Sequence, residues 1–131
     1  MKNESILIGK SVIELQIKAL KKLKNCIDKS FDDAVKAIVN CKSKVIICGV
    51  GKSGIIASKI SATLSSVGTP SFTVSASDCS HGDLGRITKK DILILISNSG
   101  NTTELKNIIK YAKLYKVFLI GIVSNINSLV T

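Results

Sequence analysis

Apolar residues recur at helical spacing over the first third of the chain, and lysines fill many of the positions between them. Two helices are therefore predicted before residue 44. The apolar side of the first helix contains Val12, Leu15, Ala19, Leu23 and Cys26, and that of the second contains Phe31, Ala34, Val35 and Ile38. Ser30, with Asp33 three residues later, is the predicted N-terminal cap of the second helix.

Beyond residue 44 the pattern changes to short apolar runs, which predict strands at 44–48, 71–74, 91–96 and 117–123. A helix is predicted after the first run, ended by Gly68, and another after the third run. Their expected inner faces contain Ile56, Ile60, Leu64 and Val67, and then Leu105, Ile108, Ile109, Ala112 and Tyr115. Strands that alternate with helices predict an α/β fold, a three-layer parallel sheet preceded by N-terminal helices.

We predict two parts in this chain. Residues 1–44 form a helical segment packed on the core, and residues 45–131 form the sheet domain, which is expected to be incomplete at its C-terminus.

Two loops rich in glycine and hydroxyl groups follow the first and third predicted strands, at residues 49–54 and 97–102, and each loop opens a helix. In the strand order 2-1-3-4 the order reverses between strands one and three, where open parallel sheets bind ligands at the carboxyl ends. Helix N-termini present free N–H groups and a positive dipole end, which favour a phosphate. The sequence therefore predicts a phosphate site between these loops.

The candidate contacts in the first loop are Gly51, Lys52 and Ser53. A cation at a helix N-terminus opposes the helix dipole, and an anion bound near Lys52 would remove that conflict. The loop also satisfies the dinucleotide pattern G-x-G-x-x-G, but the second strand lacks the acid expected at its end for a ribose. A Walker A motif would need glycine where Ile46 stands. A tight turn that only joins strand to helix is the alternative.

The candidate contacts in the second loop are Ser97, Asn98, Ser99 and Thr102. Helix capping is the alternative here, because Asn101 with Glu104 three residues later could form a capping box. Capping does not account for the serines at 97 and 99. His81, in the loop after the second strand, could donate or accept a proton at neutral pH, or could be a solvated turn residue.

Composition narrows the choice of partner. The 131 residues are 45% hydrophobic with a net charge of +10, and that charge is divided equally between residues 1–44 and 45–131. Aromatic residues make up 4%, so no basic stripe interleaved with aromatics points to nucleic acid. No apolar run is long enough for a membrane helix, so we expect a cytoplasmic protein without membrane or nucleic-acid partners. The four cysteines lack metal-binding spacing and are expected to be reduced, mostly buried residues.

The stretches 49–54, 59–64, 68–70, 81–85 and 96–100 resemble the sugar isomerase (SIS) domain family, and within it the D-arabinose 5-phosphate isomerases of lipopolysaccharide or capsule precursor synthesis. The resemblance covers nearly the whole chain. It implies a flavodoxin-like sheet and an isomerase that interconverts D-ribulose 5-phosphate and D-arabinose 5-phosphate through an enediol. We expect no cofactor.

Carried over by position, the resemblance implies catalytic roles for Lys52, His81 and Glu104. Lys52 would stabilise phosphate or enediolate charge, His81 would contact the substrate or help open the sugar ring, and Glu104 would be an acid–base or orienting carboxylate. The resemblance also implies that Ser97, Asn98, Ser99 and Thr102 bind phosphate, and that Gly68 and Thr69 line the substrate site.

Two departures from the family qualify these expectations. Ser75 stands where family members usually have a histidine that can bind a metal, so no metal site is expected. Family members also continue through another strand, further catalytic residues and usually a pair of CBS modules. We therefore predict that this chain binds sugar phosphate weakly, isomerises it negligibly and forms a homo-oligomer. A non-catalytic phosphosugar-binding module and a nucleotide-binding fragment are the alternative functions.

Overall fold

Two helices precede the sheet in the computed structural model, which describes residues 3–77, 79 and 82–130. Helix α1 spans Glu4–Lys24 and has no buried residue, so its predicted apolar side is exposed. Helix α2 spans Lys29–Asn40. The predicted cap, Ser30, is wrong: the Asp28 carboxylate accepts hydrogen bonds from the Ser30 N–H at 2.8 Å and the Ser30 hydroxyl at 2.6 Å. A short acidic side chain reaches the N–H two residues onward, so the helix starts earlier than predicted.

Four parallel strands form one sheet in the order β2-β1-β3-β4, the order on which the predicted phosphate site depends. They are β1 (Val45–Gly49), β2 (Ser71–Ser75), β3 (Ile92–Ser97) and β4 (Phe118–Val123). Gly49 lies beside Ser75 on one side and beside Ile96 on the other. The carboxyl ends of the three neighbouring strands are therefore nearly level, and the loops that follow them share one edge of the sheet.

Helices cover the two faces of the sheet, so the three-layer α/β fold is confirmed. Helix α3 (Lys52–Ser66) joins β1 to β2, and α4 (Lys106–Leu114) joins β3 to β4 after a 3₁₀ turn at Thr103–Leu105. One core cluster contains Val45, Ile47, Ile92 and Ile94 with Ala57 of α3, and Ala37 and Ile38 of α2 pack against it. The other contains Ile46, Cys48, Leu93 and Leu95 with Leu105, Ile108, Ile109 and Ala112.

The inner faces of α3 and α4 differ from the predicted ones at three positions. In α3 the buried residues are Ala57 and Ser61, whereas Ile56 and Val67 are exposed. Ile60 and Leu64 are partly buried and pack against the core cluster on this face of the sheet, as predicted. In α4 the predicted residues are buried except Tyr115, which follows the helix and is exposed.

The chain divides into two compact units, Met1–Lys36 and Ala37–Thr131. The first contains α1 and the start of α2, and the second contains the end of α2, the sheet and the helices that cover it. The packing of helical residues 1–44 as one part on the core stays a prediction. In the described stretches 3–77, 79 and 82–130, no helix combines the length and the apolar character that a membrane span requires.

Candidate functional site

The loop after β1 brings the start of α3 directly against the end of the strand. A Cβ on Gly49 would lie 2.6 Å from the carbonyl carbon of Ser53, and a Cβ on Gly54 would lie 2.9 Å from the carbonyl oxygen of Gly49. Gly51, just before the helix, has a φ of 58°, which favours glycine. These glycines let α3 begin immediately above the carboxyl end of β1.

Helix α3 begins at Lys52, whose side chain is exposed, and half-buried Ser53 follows. The N–H groups of Ser53 and Gly54 donate to the carbonyls of Val50, at 3.2 Å, and Gly51, at 3.0 Å. Among the residues that the structure describes, no side chain caps this helix. Lys52 is the first residue of α3, so its cationic side chain starts from the positive end of the helix dipole, where an anion is favoured.

The loop after β3 has a buried base and an exposed rim. Ser97 is only 3% exposed, its Oγ lies 2.7 Å from Thr102 Oγ1, and it accepts the Gly100 N–H at 3.0 Å. Asn98 and Ser99 are exposed, and Ser99 Oγ accepts the Asn101 N–H at 3.2 Å. Ser97 and Thr102 thus shape the loop from inside, while Asn98 and Ser99 present their side chains to solvent.

The capping box considered for Asn101 and Glu104 does not form. The residue before the 3₁₀ turn is Thr102, with no side-chain cap bond in the described part of the chain. Asn101 Oδ1 instead accepts the Leu129 N–H at 3.1 Å. The Asn101 side chain therefore binds a segment distant in sequence instead of capping the helix.

Residues 124–130 follow β4 and pack against the loop after β3. Ser124 Oγ donates to Asn98 Oδ1 at 2.6 Å, and the Ser124 N–H donates to the Asn98 carbonyl at 3.1 Å. Ser128 lies so near Gly100 that a Cβ there would be 2.1 Å from its Oγ. Sequence reasoning missed this segment, because a contact between two distant loops leaves no local pattern. The glycine at 100 was the one signal of a close approach.

The two predicted phosphate loops lie side by side, because they follow adjacent strands that end level with each other. Glu104 is exposed in the 3₁₀ turn directly after the second loop. His81 lies outside the described residues. Gly68 and Thr69 are not brought to the other candidates, since they precede β2 at the opposite end of the sheet. Five strand residues at about 3.3 Å each separate the two ends by about 16 Å.

A cavity of about 320 Å³ adjoins the first loop, between the end of β1, α3 and β2. Its polar lining includes Ser58, Thr73 and Ser75, and Gly49 and Gly51 contribute backbone. The Ser75 Oγ lies 2.6 Å from Ser77 Oγ. In the described part of the chain, no three His, Cys, Asp or Glu side chains group as metal ligands. Hydroxyls and backbone next to the Lys52 loop suit a polyhydroxylated ligand.

Two thiols lie buried beneath this edge of the sheet. Cys48 in β1 and Cys79 in the loop after β2 are buried, whereas Cys26 is exposed and Cys41 half-buried. Burial, with a smaller contribution from Cys79, raises the pKa of Cys48 to about 12. The Cys48 thiol is therefore neutral at physiological pH, which excludes it as a nucleophile.

Comparisons with known proteins identify the domain family. Residues 37–131 match the family model of the SIS domain. Two curated relatives bear the name arabinose 5-phosphate isomerase KdsD: that of Yersinia pestis is 44% identical over 117 residues, and that of Francisella tularensis is 46% identical over 118. The matches cover 89% and 88% of this chain but 36% of each relative, so the chain spans about a third of their length.

A solved structure also matches most of the chain. The Escherichia coli CFT073 protein solved in complex with arabinose 5-phosphate has a TM-score of 0.90 and 38% sequence identity, over 98% of this chain and 68% of that chain. A family model that matches residues 37–131 and a structural relative of this identity lead to one conclusion: the chain belongs to the SIS domain family.

Proposed function

We propose that this chain binds the phosphate of a pentose phosphate between the loops after β1 and β3, and that it acts, though only at a very low rate, as an aldose–ketose isomerase on D-ribulose 5-phosphate and D-arabinose 5-phosphate. The observation that carries the proposal is the pair of loops at the ends of adjacent strands, one of them with exposed Lys52 at a helix N-terminus. The names of the Yersinia and Francisella relatives support the choice of substrate.

The proposed reaction needs a base, an acid and a stabilised anion. A base removes the proton from the carbon beside the carbonyl, and the electron pair forms an enediolate with its charge on the former carbonyl oxygen. A proton then passes to that oxygen from the hydroxyl oxygen of the neighbouring carbon, where the new carbonyl forms as a proton is added to the former carbonyl carbon. Atoms and electrons balance without an oxidant or reductant. Lys52 would stabilise the phosphate or enediolate charge, and Glu104, exposed beside the second loop, would be the acid–base or orienting carboxylate. His81 would contact the substrate or help open its ring.

The proposed site also gives a reason for a homo-oligomer. Gly68 and Thr69, which are proposed to line the substrate site, lie at the opposite end of β2 from the phosphate loops of the same chain. A second copy could bring its own Gly68 and Thr69 to this site. We therefore propose that the site is completed by a partner copy, in the manner of isologous dimers.

A non-catalytic phosphosugar-binding module is the second candidate. The loops after β1 and β3 follow adjacent strands of the sheet that end level with each other. The phosphate loops alone would suffice for binding.

Binding and turnover, measured separately, test these proposals. We expect titration calorimetry to detect arabinose 5-phosphate binding, and Lys52→Ala to weaken it at least about tenfold, because hydrogen bonds to charged groups contribute about 1.5–3 kcal/mol. Lys59→Ala is the matched control: Lys59 is also exposed on α3 but lies two turns onward. Equal losses in the two variants would exclude Lys52 from the site.

The same samples, assayed for conversion of ribulose 5-phosphate, separate the two candidate functions. Conversion that Lys52→Ala reduces more than Lys59→Ala supports the isomerase. Binding without conversion supports the module, and a chain that binds no sugar phosphate contradicts both.

A further inference from the structure

The exposed rim of the loop after β3 is held from outside by the segment after β4. Two asparagine side chains of the rim make the connection. Asn98 Oδ1 accepts from the Ser124 hydroxyl at 2.6 Å, and Asn101 Oδ1 accepts from the Leu129 N–H at 3.1 Å. The conformation of the loop after β3 is therefore stabilised both by its own residues and by residues 124–130.

The supporting segment is itself fixed at both ends. It leaves β4 at Ser124, whose N–H donates to the Asn98 carbonyl at 3.1 Å. At its far end Val130 is buried in the core, where a Cβ on Gly121 of β4 would be 2.7 Å from a Val130 methyl carbon. Between them Asn125 Oδ1 accepts the Asn127 N–H at 3.0 Å, a local turn. A segment anchored in this way can fix the loop that rests on it.

We propose that Ser124 is a positioning residue for phosphate binding and acts through Asn98. The inference rests on the proposed function, because it assumes that the phosphate of a sugar monoester binds at this loop. A carboxamide is planar and has an acceptor oxygen on one side and a donor NH₂ group on the other. Holding the Asn98 oxygen on Ser124 therefore commits the NH₂ group to the other side, where an anion needs donors. Without the Ser124 hydroxyl the amide can turn its oxygen toward the anion.

Titration calorimetry with arabinose 5-phosphate and with inorganic phosphate, on this chain and its variants, tests the inference. We expect Ser124→Ala to weaken the affinity for both ligands about five- to tenfold, the usual effect of one hydrogen bond. Ser124→Thr keeps the hydroxyl and should restore the affinity. Thr63→Ala is the control, since Thr63 is exposed on α3 and also makes one hydroxyl bond, to the Lys59 carbonyl at 3.0 Å within the same helix. It should leave both affinities unchanged.

A double-mutant cycle distinguishes positioning from general support. If Ser124 acts through Asn98, Ser124→Ala should cost no further affinity in an Asn98→Ala background. Equal losses in the two backgrounds, or wild-type affinity in Ser124→Ala, would overturn the inference while the phosphate site stands. If the unmodified chain binds neither ligand, the proposed function is wrong and this inference is overturned with it.

A second variant decides the matter if Ser124→Ala does not fold. Asn98→Asp keeps an acceptor for the Ser124 hydroxyl but replaces the NH₂ donor by a carboxylate oxygen. Its phosphate affinity should fall below that of Asn98→Ala, because the oxygen would face the anion. Equal affinity of these two variants contradicts the proposed orientation of Asn98.

Discussion

Because residues 49 and 54 are glycines, no Cβ atoms at these positions hold α3 away from β1. These two glycines serve the contact between helix and strand. Gly51, with its positive φ, is the glycine that shapes the turn itself. Helical spacing identifies an apolar side, but it cannot tell how near the helix will approach.

Burial determines the protonation of the Cys48 thiol. Its raised pKa of about 12, against an ordinary value of 9.0, means that the folded chain keeps a proton that the unfolded chain releases. The folded state therefore binds more protons than the unfolded state between about pH 9 and pH 12, and this difference favours unfolding as the pH rises.

We expect Cys48→Ala to lose stability less steeply than the unmodified chain between pH 9 and 12. The slopes of unfolding free energy against pH should differ by up to about 1.4 kcal/mol per pH unit, the value for one proton. Urea unfolding at several pH values measures these slopes. Cys26→Ala, at an exposed thiol, is the control. Equal slopes in Cys48→Ala and the unmodified chain would contradict the assignment.

At the scale of elements, one carboxylate joins the segments that enter β1 and β3. Asp91, 1% exposed, accepts the Ser43 hydroxyl at 2.6 Å and the Thr88 N–H at 2.7 Å, and it pairs with the Lys44 ammonium at 3.2 Å. Burial alone would raise the pKa of Asp91, but these hydrogen bonds and the ion pair hold it below its usual value. The pattern predicted Asp91 as the first strand residue and gave no sign of this role.

Asp91→Ala should lower the free energy of unfolding by about 2–3 kcal/mol, since it leaves buried donors without their acceptor. The depressed pKa of Asp91 stabilises the fold above its unfolded value of about 3.9, and that contribution is lost as the pH falls below it. Asp91→Asn should therefore lose less stability than the unmodified chain between pH 5 and pH 3. Chemical unfolding at these pH values measures both effects. Asp83→Asn, at a partly exposed carboxylate, provides the comparison.

Elements were predicted better than the contacts between their ends. Continuous apolar runs gave all four strands, and the buried residues of α4 follow the expected spacing from Leu105 to Ala112. The cap at Ser30 was wrong, and the alternative capping box at Asn101 does not form, because a polar side chain near a helix start has several possible acceptors and donors. The bond between Ser124 and Asn98 joins residues far apart in sequence, so no local pattern could reveal it.

Across the whole molecule, α1 presents the largest set of exposed apolar side chains on any described helix. None of its residues is buried, and Leu7, Leu15 and Leu20 are each more than 60% exposed. Helices of this kind seldom persist without a partner surface, because most helical stability comes from packing an apolar face.

We expect the chain to self-associate through α1 at micromolar concentration. Leu15→Lys combined with Leu20→Lys should shift the mass measured by light scattering toward that of one chain, because charges would then have to be buried between copies. Lys21→Gln, on the polar side of α1, should leave the mass unchanged. A single-chain mass for the unmodified protein would contradict this expectation.

The place of β1 in the sheet has a consequence for synthesis. Val45 pairs with Ser71 on one side and with Ile92 on the other, and both partners are made after it. A chain growing on the ribosome can complete β2 first, yet the other edge of β1 stays unpaired until β3 has emerged. The unpaired backbone groups of a strand edge can form hydrogen bonds with a strand of another chain. Nascent chains stalled after residue 90 should therefore be cleaved by added protease, or retained by chaperones, more readily than chains stalled after the whole of β3 is outside.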